Sequence, residues 1–275
     1  MPHVDLKDGG RLHYEEHGQG EPLLLLNGIM MNTLSWAEFV PFFAARFRLI
    51  LLDFRDQGQS SRHDRPYDLE SHAADLLALL DGLGLARAHV VGLSYGGQVA
   101  LRFAVGHRER LQSLVLANVA CDISNHLRAI GQAWERAAEL ADGERFFQLA
   151  IPFIYSADFY ERSWDALKQR QELFKTLLTK EWFEALVRLN RSVAGYSVSP
   201  EELRTITVPT LLIGAEDDML VPLRRMDALH ESLPDCEFVT LRRAGHGAFL
   251  ERKKEFMTLV SGFVAKHSRG EAEAG

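Results

Sequence analysis

The stretch Val90–Leu101, "VVGLSYGGQVAL", sets one serine between glycines, after an apolar run and before residues with helical spacing. Within it, Gly92 to Gly96 match G-x-S-x-G, a sharp strand-to-helix turn that forces the central serine into a strained conformation with its hydroxyl exposed. A tight turn with a solvated hydroxyl would leave the same pentapeptide, so the flanks decide. "AHVVG" before it reads as a strand and "YGGQVALRFAV" after it as a helix, as the elbow requires.

The same alternation extends in both directions. Short apolar runs, "PLLLLNG", "RLILLDFR", "AHVVGLS", "QSLVLANVA", "VPTLLIGAEDD" and "CEFVTLRRAGH", are separated by amphipathic stretches such as "SWAEFVPFFAARF" and "DLESHAADLLALLDGLG". Runs apolar on both faces suit parallel strands covered on both sides by helices. Strand–helix alternation of this kind predicts an α/β fold with a doubly wound, mostly parallel sheet. The first 20 residues read as two short strands around "KDGGR". Between Cys121 and Pro200 the pattern turns almost wholly helical and is rich in aromatics from Trp134 to Phe183. Residues 121–200 are therefore expected to form a helical lid inserted after the fourth long strand, with residues 1–120 and 201–275 as the core. The polar tail "SRGEAEAG" is expected to fray.

Composition excludes several classes of function. At 275 residues, 47% hydrophobic and 25% charged, the chain suits one globular domain with an insertion. A formal net charge of −7 removes the electrostatic drive for nucleic-acid binding. No run reaches the roughly 18 apolar residues of a membrane span, and no signal-like segment opens the chain, so a cytoplasmic protein is expected. Cys121 and Cys236 are the only cysteines and stand in no metal-ligand spacing. GxxxxGK[ST] and HExxH are absent too, so neither a cofactor nor a metal is expected.

A serine hydroxyl needs a base within hydrogen-bond reach and a third group to orient that base. "LLIGAEDDMLVP" ends one strand with Asp217 and Asp218, and "CEFVTLRRAGHGAFLE" ends another with His246 between glycines. Strand carboxyl ends are where sites form in such sheets. Ser94, then an acid, then His246 is the chain order of the α/β-hydrolase fold. Of the other histidines, His3, His63, His107 and His267 are read as surface residues, and His72, His89, His126 and His230 as helix or loop positions.

At these motifs the chain resembles the α/β-hydrolase superfamily over nearly its whole length. The resemblance implies a Ser94–Asp218–His246 triad, with Pro222 selecting Asp218 by its spacing and Gly214 favouring Asp217 instead. It places the oxyanion-hole amides at Tyr95 and in the turn Asn27-Gly28-Ile29, with Ile29 as the donor and Met30 as the alternative. "LLDFRDQGQSS" is similar to the family's D-x-R-G-x-G-x-S loop, with Asp56 and Gln57 replacing the usual Gly and His, and with Asp53 and Arg55 as structural braces. Met30, Trp134 and Phe153 are expected to contact an apolar acyl group.

The Asn-Gly turn, "GQSSR", "LRRAGHGAFLE" and "LVRLNRSVAGY" together look like hydroxyalkanoyl acyltransferases and thioesterases, although Tyr95 stands where their elbow often carries Trp, and Gly247, Ala248 and Phe249 where an acidic residue often follows the Gly-His. Hydrolysis of an ester, thioester or lactone through an acyl-enzyme is thus the leading expectation, with acyl transfer between hydroxyacyl thioesters as the alternative. A non-catalytic ligand-binding protein on the same fold is a third reading, and an intact triad weighs against it. The expected partner is a small-molecule acyl substrate, with a homodimer possible.

Overall fold

The run Pro22–Leu26 shows why the sheet reads as continuously apolar. In the computed structural model, which describes residues 2–268, Leu24 and Leu26 face one buried cluster while Leu23 and Leu25 face another. Successive side chains of a strand point to opposite faces, so a strand covered on both sides has no position left for a polar residue. Residues 269–275, most of the tail expected to fray, lie outside the described residues.

The strands are β1 (His3–Asp5), β2 (Arg11–His17), β3 (Pro22–Leu26), β4 (Arg48–Leu52), β5 (Ala88–Leu93), β6 (Leu111–Ala117), β7 (Thr210–Ala215) and β8 (Cys236–Leu241). They form one sheet in the order β1-β2-β4-β3-β5-β6-β7-β8. The β1–β2 and β2–β4 pairs are antiparallel, and every other pair is parallel. Strand order reverses between β3 and β5, which opens a crevice at their carboxyl ends.

The helices are α1 (Val40–Phe43), α2 (Leu69–Gly82), α3 (Tyr95–His107), α4 (Asn125–Ala138), α5 (Gly143–Ala150), α6 (Ala157–Leu177), α7 (Lys180–Ser192), α8 (Pro200–Leu203), α9 (Asp227–Ser232), α10 (Ala248–Glu251) and α11 (Lys253–Lys266). Residues of α2 and α3 fill the cluster on one face of the sheet, and those of α1 and α11 the cluster on the other. The fold is thus the doubly wound α/β sheet of the sequence reading.

Four details differ from that reading. "SWAEFVPFFAARF" does not make one helix: Pro41 lacks an N–H and would clash with the carbonyl four residues back. The stretch breaks into a 3₁₀ turn at Thr33–Trp36 and the single turn α1, yet Trp36, Phe39 and Phe43 stay fully buried. The strand β8 is not buried on both faces, because it closes the sheet at its edge. His89 is neither helical nor in a loop. It lies in β5, fully buried, hydrogen-bonded to Ser113 at 2.7 Å and Glu21 at 3.0 Å. His63, His107 and His267 are half-buried.

Between β6 and β7 the chain leaves the sheet for α4–α7 and returns. Its two ends meet: Val198 N donates to Cys121 O at 2.7 Å, and Asp122 bridges Ser197. Ser124, Ser156 and Thr179 cap α4, α6 and α7, each accepting from a first-turn amide.

Candidate active site

The elbow between β5 and α3 leaves Ser94 at φ 49°, ψ −110°, a region costing on the order of 1–3 kcal/mol for a residue with a β-carbon. Two glycines make the turn possible. A β-carbon on Gly96 would stand 2.6 Å from Leu26 O, and one on Gly92 2.6 Å from Gly96 O. The serine is held on top of the sheet because nothing larger fits beneath it.

His246 Nε2 lies 2.8 Å from Ser94 Oγ, and His246 Nδ1 lies 2.9 Å from Asp218 Oδ2. A carboxylate can only accept, so Nδ1 carries the proton and Nε2 accepts from the serine hydroxyl, a tautomer assigned from these partners. The Asp218 side chain is fully buried and saturated. Oδ2 also accepts from Asn118 Nδ2 at 2.8 Å, while Oδ1 accepts from the amides of Leu220 and Val221 at 2.8 and 2.9 Å. Asp217 points to solvent, and only its backbone is tied down, to Ala244 O.

The turn after β3 is built from side chains that the motif reading did not connect. Trp36 Nε1 donates to Asn27 Oδ1 at 2.7 Å, and Asn27 Nδ2 donates to Leu52 O at 2.7 Å and to Gln57 Oε1 at 3.1 Å. Gln57 Nε2 in turn donates to Gly28 O at 2.9 Å and Ile29 O at 3.2 Å. In a trans peptide the C=O and N–H point in opposite directions. Gln57 thus turns the N–H groups of Ile29 and Met30 away from itself, and neither has an acceptor among the described residues. Tyr95 opens α3, where the first N–H groups have no partner within the helix.

A cavity of about 270 Å³ opens over these groups. Its wall includes Ser94, His246, Ile29, Met30 and Trp134. Phe153 is not part of it: that residue ends a 3₁₀ turn, and Ile154 and Tyr155 reach the cavity in its place. Of the aromatics between 121 and 200, Trp134, Tyr155 and Phe174 line the wall. Phe146, Trp182 and Phe183 pack on one another with ring centroids 5.2–5.5 Å apart, as an interior of the helical segment.

Asp53 and Arg55 stand outside the wall. Asp53 accepts from the amides of Thr33 and Gln59, both at 2.8 Å, and burial pushes its pKa up despite those bonds. Arg55 forks onto Asp75 at 2.5 Å and reaches Asp8 at 2.7 Å. Asp56, where the motif has glycine, sits at φ 67° and receives both arms of Arg188 from α7 at 2.8 and 2.9 Å. Its departure from the motif was the one signal in the sequence that this position had a partner. Among the described residues no group of His, Cys, Asp or Glu is arranged to hold a metal, and no helix is long and apolar enough to cross a membrane.

Known proteins share this architecture. A protein of Caulobacter vibrioides (strain NA1000 / CB15N) named "Putative carbamate hydrolase RutD" is 30% identical, over 92% of this chain and 95% of its own. The crystal structure of MGS-M2, an alpha/beta hydrolase enzyme from a Medee basin deep-sea metagenome library, superposes with a TM-score of 0.91 at 35% identity, covering 94% of this chain and 95% of that one. The enol-lactonase from Burkholderia xenovorans LB400 gives 0.84 at 25% identity, over 96% of this chain and all of its own. The pattern described as the alpha/beta hydrolase fold matches residues 21–253, from just before β3 to the start of α11, and so spans the elbow, both strand-end loops and the helices between them. The chain belongs to the alpha/beta hydrolase fold family.

Proposed function

We propose that this hydrolase cleaves a carboxylic ester, thioester or lactone through an acyl-enzyme on Ser94. The observation that carries the reading is the 2.8 Å contact between Ser94 Oγ and His246 Nε2 on the floor of a cavity walled mostly by apolar side chains, with Arg128, Glu135, Arg170 and Arg191 also on it. Ser94 Oγ attacks the acyl carbonyl as His246 takes its proton, and Asp218 stabilises the imidazolium that forms. The carbonyl oxygen becomes an oxyanion received by the amides of Ile29 and Tyr95. His246 returns the proton to the departing oxygen or sulfur, and a water then releases the acid by the same steps in reverse order.

Residues 121–200 act as a lid, and Met30 and Trp134 contact the acyl group. The names of the relatives support an acyl carbonyl bearing a heteroatom leaving group, as a carbamate or an enol-lactone does. The largely apolar wall favours an acyl chain over a small polar carbamate. At about 270 Å³ the cavity lies near the lower end of small-molecule sites, about 300–1,000 Å³, which suits a short to medium chain.

A fluorophosphonate is expected to modify the unaltered protein and to leave Ser94→Ala unmodified. Across p-nitrophenyl esters from acetyl to octanoyl, kcat/KM is expected to climb by up to roughly fourfold per methylene until the cavity fills. Modification of Ser94→Ala at the same rate removes the nucleophile assignment. A flat ester profile, with faster turnover of carbamates, replaces the acyl substrate by a small polar one.

A further inference from the structure

We propose that α7 latches the lid to both sides of the oxyanion hole, with Arg188 and Ser192 as positioning residues for acylation; the inference rests on Ser94 being the nucleophile. The two residues are one helical turn apart and share a face. Each meets the neighbourhood of a different oxyanion donor.

Arg188 grips Asp56 with Nε and Nη2 at 2.9 and 2.8 Å, a fork that fixes orientation as well as distance. The Asp56 side chain is fully buried and also accepts from Tyr67 Oη at 2.8 Å and from the amide of His63 at 3.1 Å. Its backbone lies at φ 67°, a conformation that side chains other than glycine's rarely adopt, so the position holds its aspartate against a conformational cost. The contact with α7 offsets that cost. The next residue, Gln57, holds Gly28 O and Ile29 O at 2.9 and 3.2 Å and thereby aims the Ile29 amide. A shift of the Asp56 backbone is a shift of that donor.

On the other side, Ser192 Oγ donates to Leu189 O at 2.7 Å and is thus free to accept from Tyr95 Oη at 2.8 Å. Tyr95 is buried, and its hydroxyl also lies 2.7 Å from His72 Nε2. The same residue offers the second amide. With α7 seated, both donors are braced by one helix face.

The test compares the full-length protein with Arg188→Met, Arg188→Lys and Ser192→Ala. Fluorophosphonates with short and long alkyl groups serve as probes, because the phosphonyl oxygen occupies the oxyanion hole. Arg188→Met is expected to slow modification of Ser94 about tenfold or more, a fraction of what losing a whole donor costs. The factor is expected to be the same for both alkyl lengths, with the loss in ester turnover falling on kcat rather than KM. Arg188→Lys restores part of the rate, since one ammonium cannot replace the fork, and Ser192→Ala loses less than Arg188→Met. Rates equal to the unaltered protein's, a factor that grows with alkyl length, or a loss confined to KM overturns the latch while leaving the nucleophile in place. If Arg188→Met does not accumulate folded, Arg188→Lys and Ser192→Ala decide by the same criteria. Failure of the unaltered protein to react at Ser94 overturns the nucleophile reading and this inference together.

Discussion

Asp217 and Asp218 are adjacent and chemically identical, yet only one is buried with all its acceptor sites taken. Asp218→Asn keeps the shape but sets an amide against the His246 ring, favouring the wrong tautomer. It is expected to lower kcat by on the order of 10⁴, whereas Asp217→Asn is expected to leave kcat nearly unchanged; steady-state turnover of one ester by both variants reads the difference. The elbow serine and the glycine-flanked histidine were legible because steric demands restrict which residues can stand there. The choice between the two aspartates was not, since the spacings from Pro222 and from Gly214 pointed to different residues. The amides of Leu220 and Val221 that fill Asp218's acceptors come from a loop whose path no local pattern encodes.

At the scale of elements, the loop carrying His246 is fastened to the start of α6 by a buried carboxylate. Glu251 Oε1 accepts from the amides of Ser156 and Gly245, both at 3.0 Å, and Oε2 from Ser156 Oγ at 2.5 Å. Gly247 N adds a bond to Ile154 O at 2.7 Å. Glu251→Ala strands two buried amides and a hydroxyl and is expected to cost at least about 3 kcal/mol, since each orphaned buried group costs roughly 1–3. Glu251→Gln keeps one acceptor oxygen for the amides and lets Ser156 Oγ accept, so most of the stability returns. Guanidinium unfolding of the two variants checks the order. Most of the parallel strands and the helical character of residues 121–200 could be read from period and composition. The contacts between α6, α7 and the core could not, because Glu251 with Ser156, and Asp56 with Arg188, are 95 and 132 residues apart.

For the molecule as a whole, one buried ring ties stability to pH. Burial, aided by Arg55, pushes the pKa of His72 from 6.5 down to about 3. Between those values the unfolded chain binds a proton at this ring and the folded chain does not. Unfolding therefore takes up a proton, and stability falls as the pH drops through that window, by up to about 1.4 kcal/mol per pH unit. His72→Gln is expected to flatten the dependence of unfolding free energy on pH by about one proton between about pH 6 and pH 4, measured by denaturant titration at several pH values. An unchanged slope would mean that the ring is already charged in the fold. The class of fold was readable over almost the entire chain, since burial on both sides of a sheet leaves a dense apolar signal. The weak points were its boundaries, where Pro41 broke a helix and where β8 met solvent.

That outermost strand has a consequence for heat. Ser94 follows β5, which has neighbours on both sides, while His246 follows β8, which has a neighbour on one side only. Margins of a sheet open at lower free energy than its middle. On warming, β8 and the histidine loop are expected to open before the central strands, held back by Glu251 and by the Gly247–Ile154 bond. Activity is then expected to disappear while the centre of the sheet still stands and to return on brief cooling, because only the rim has to close again.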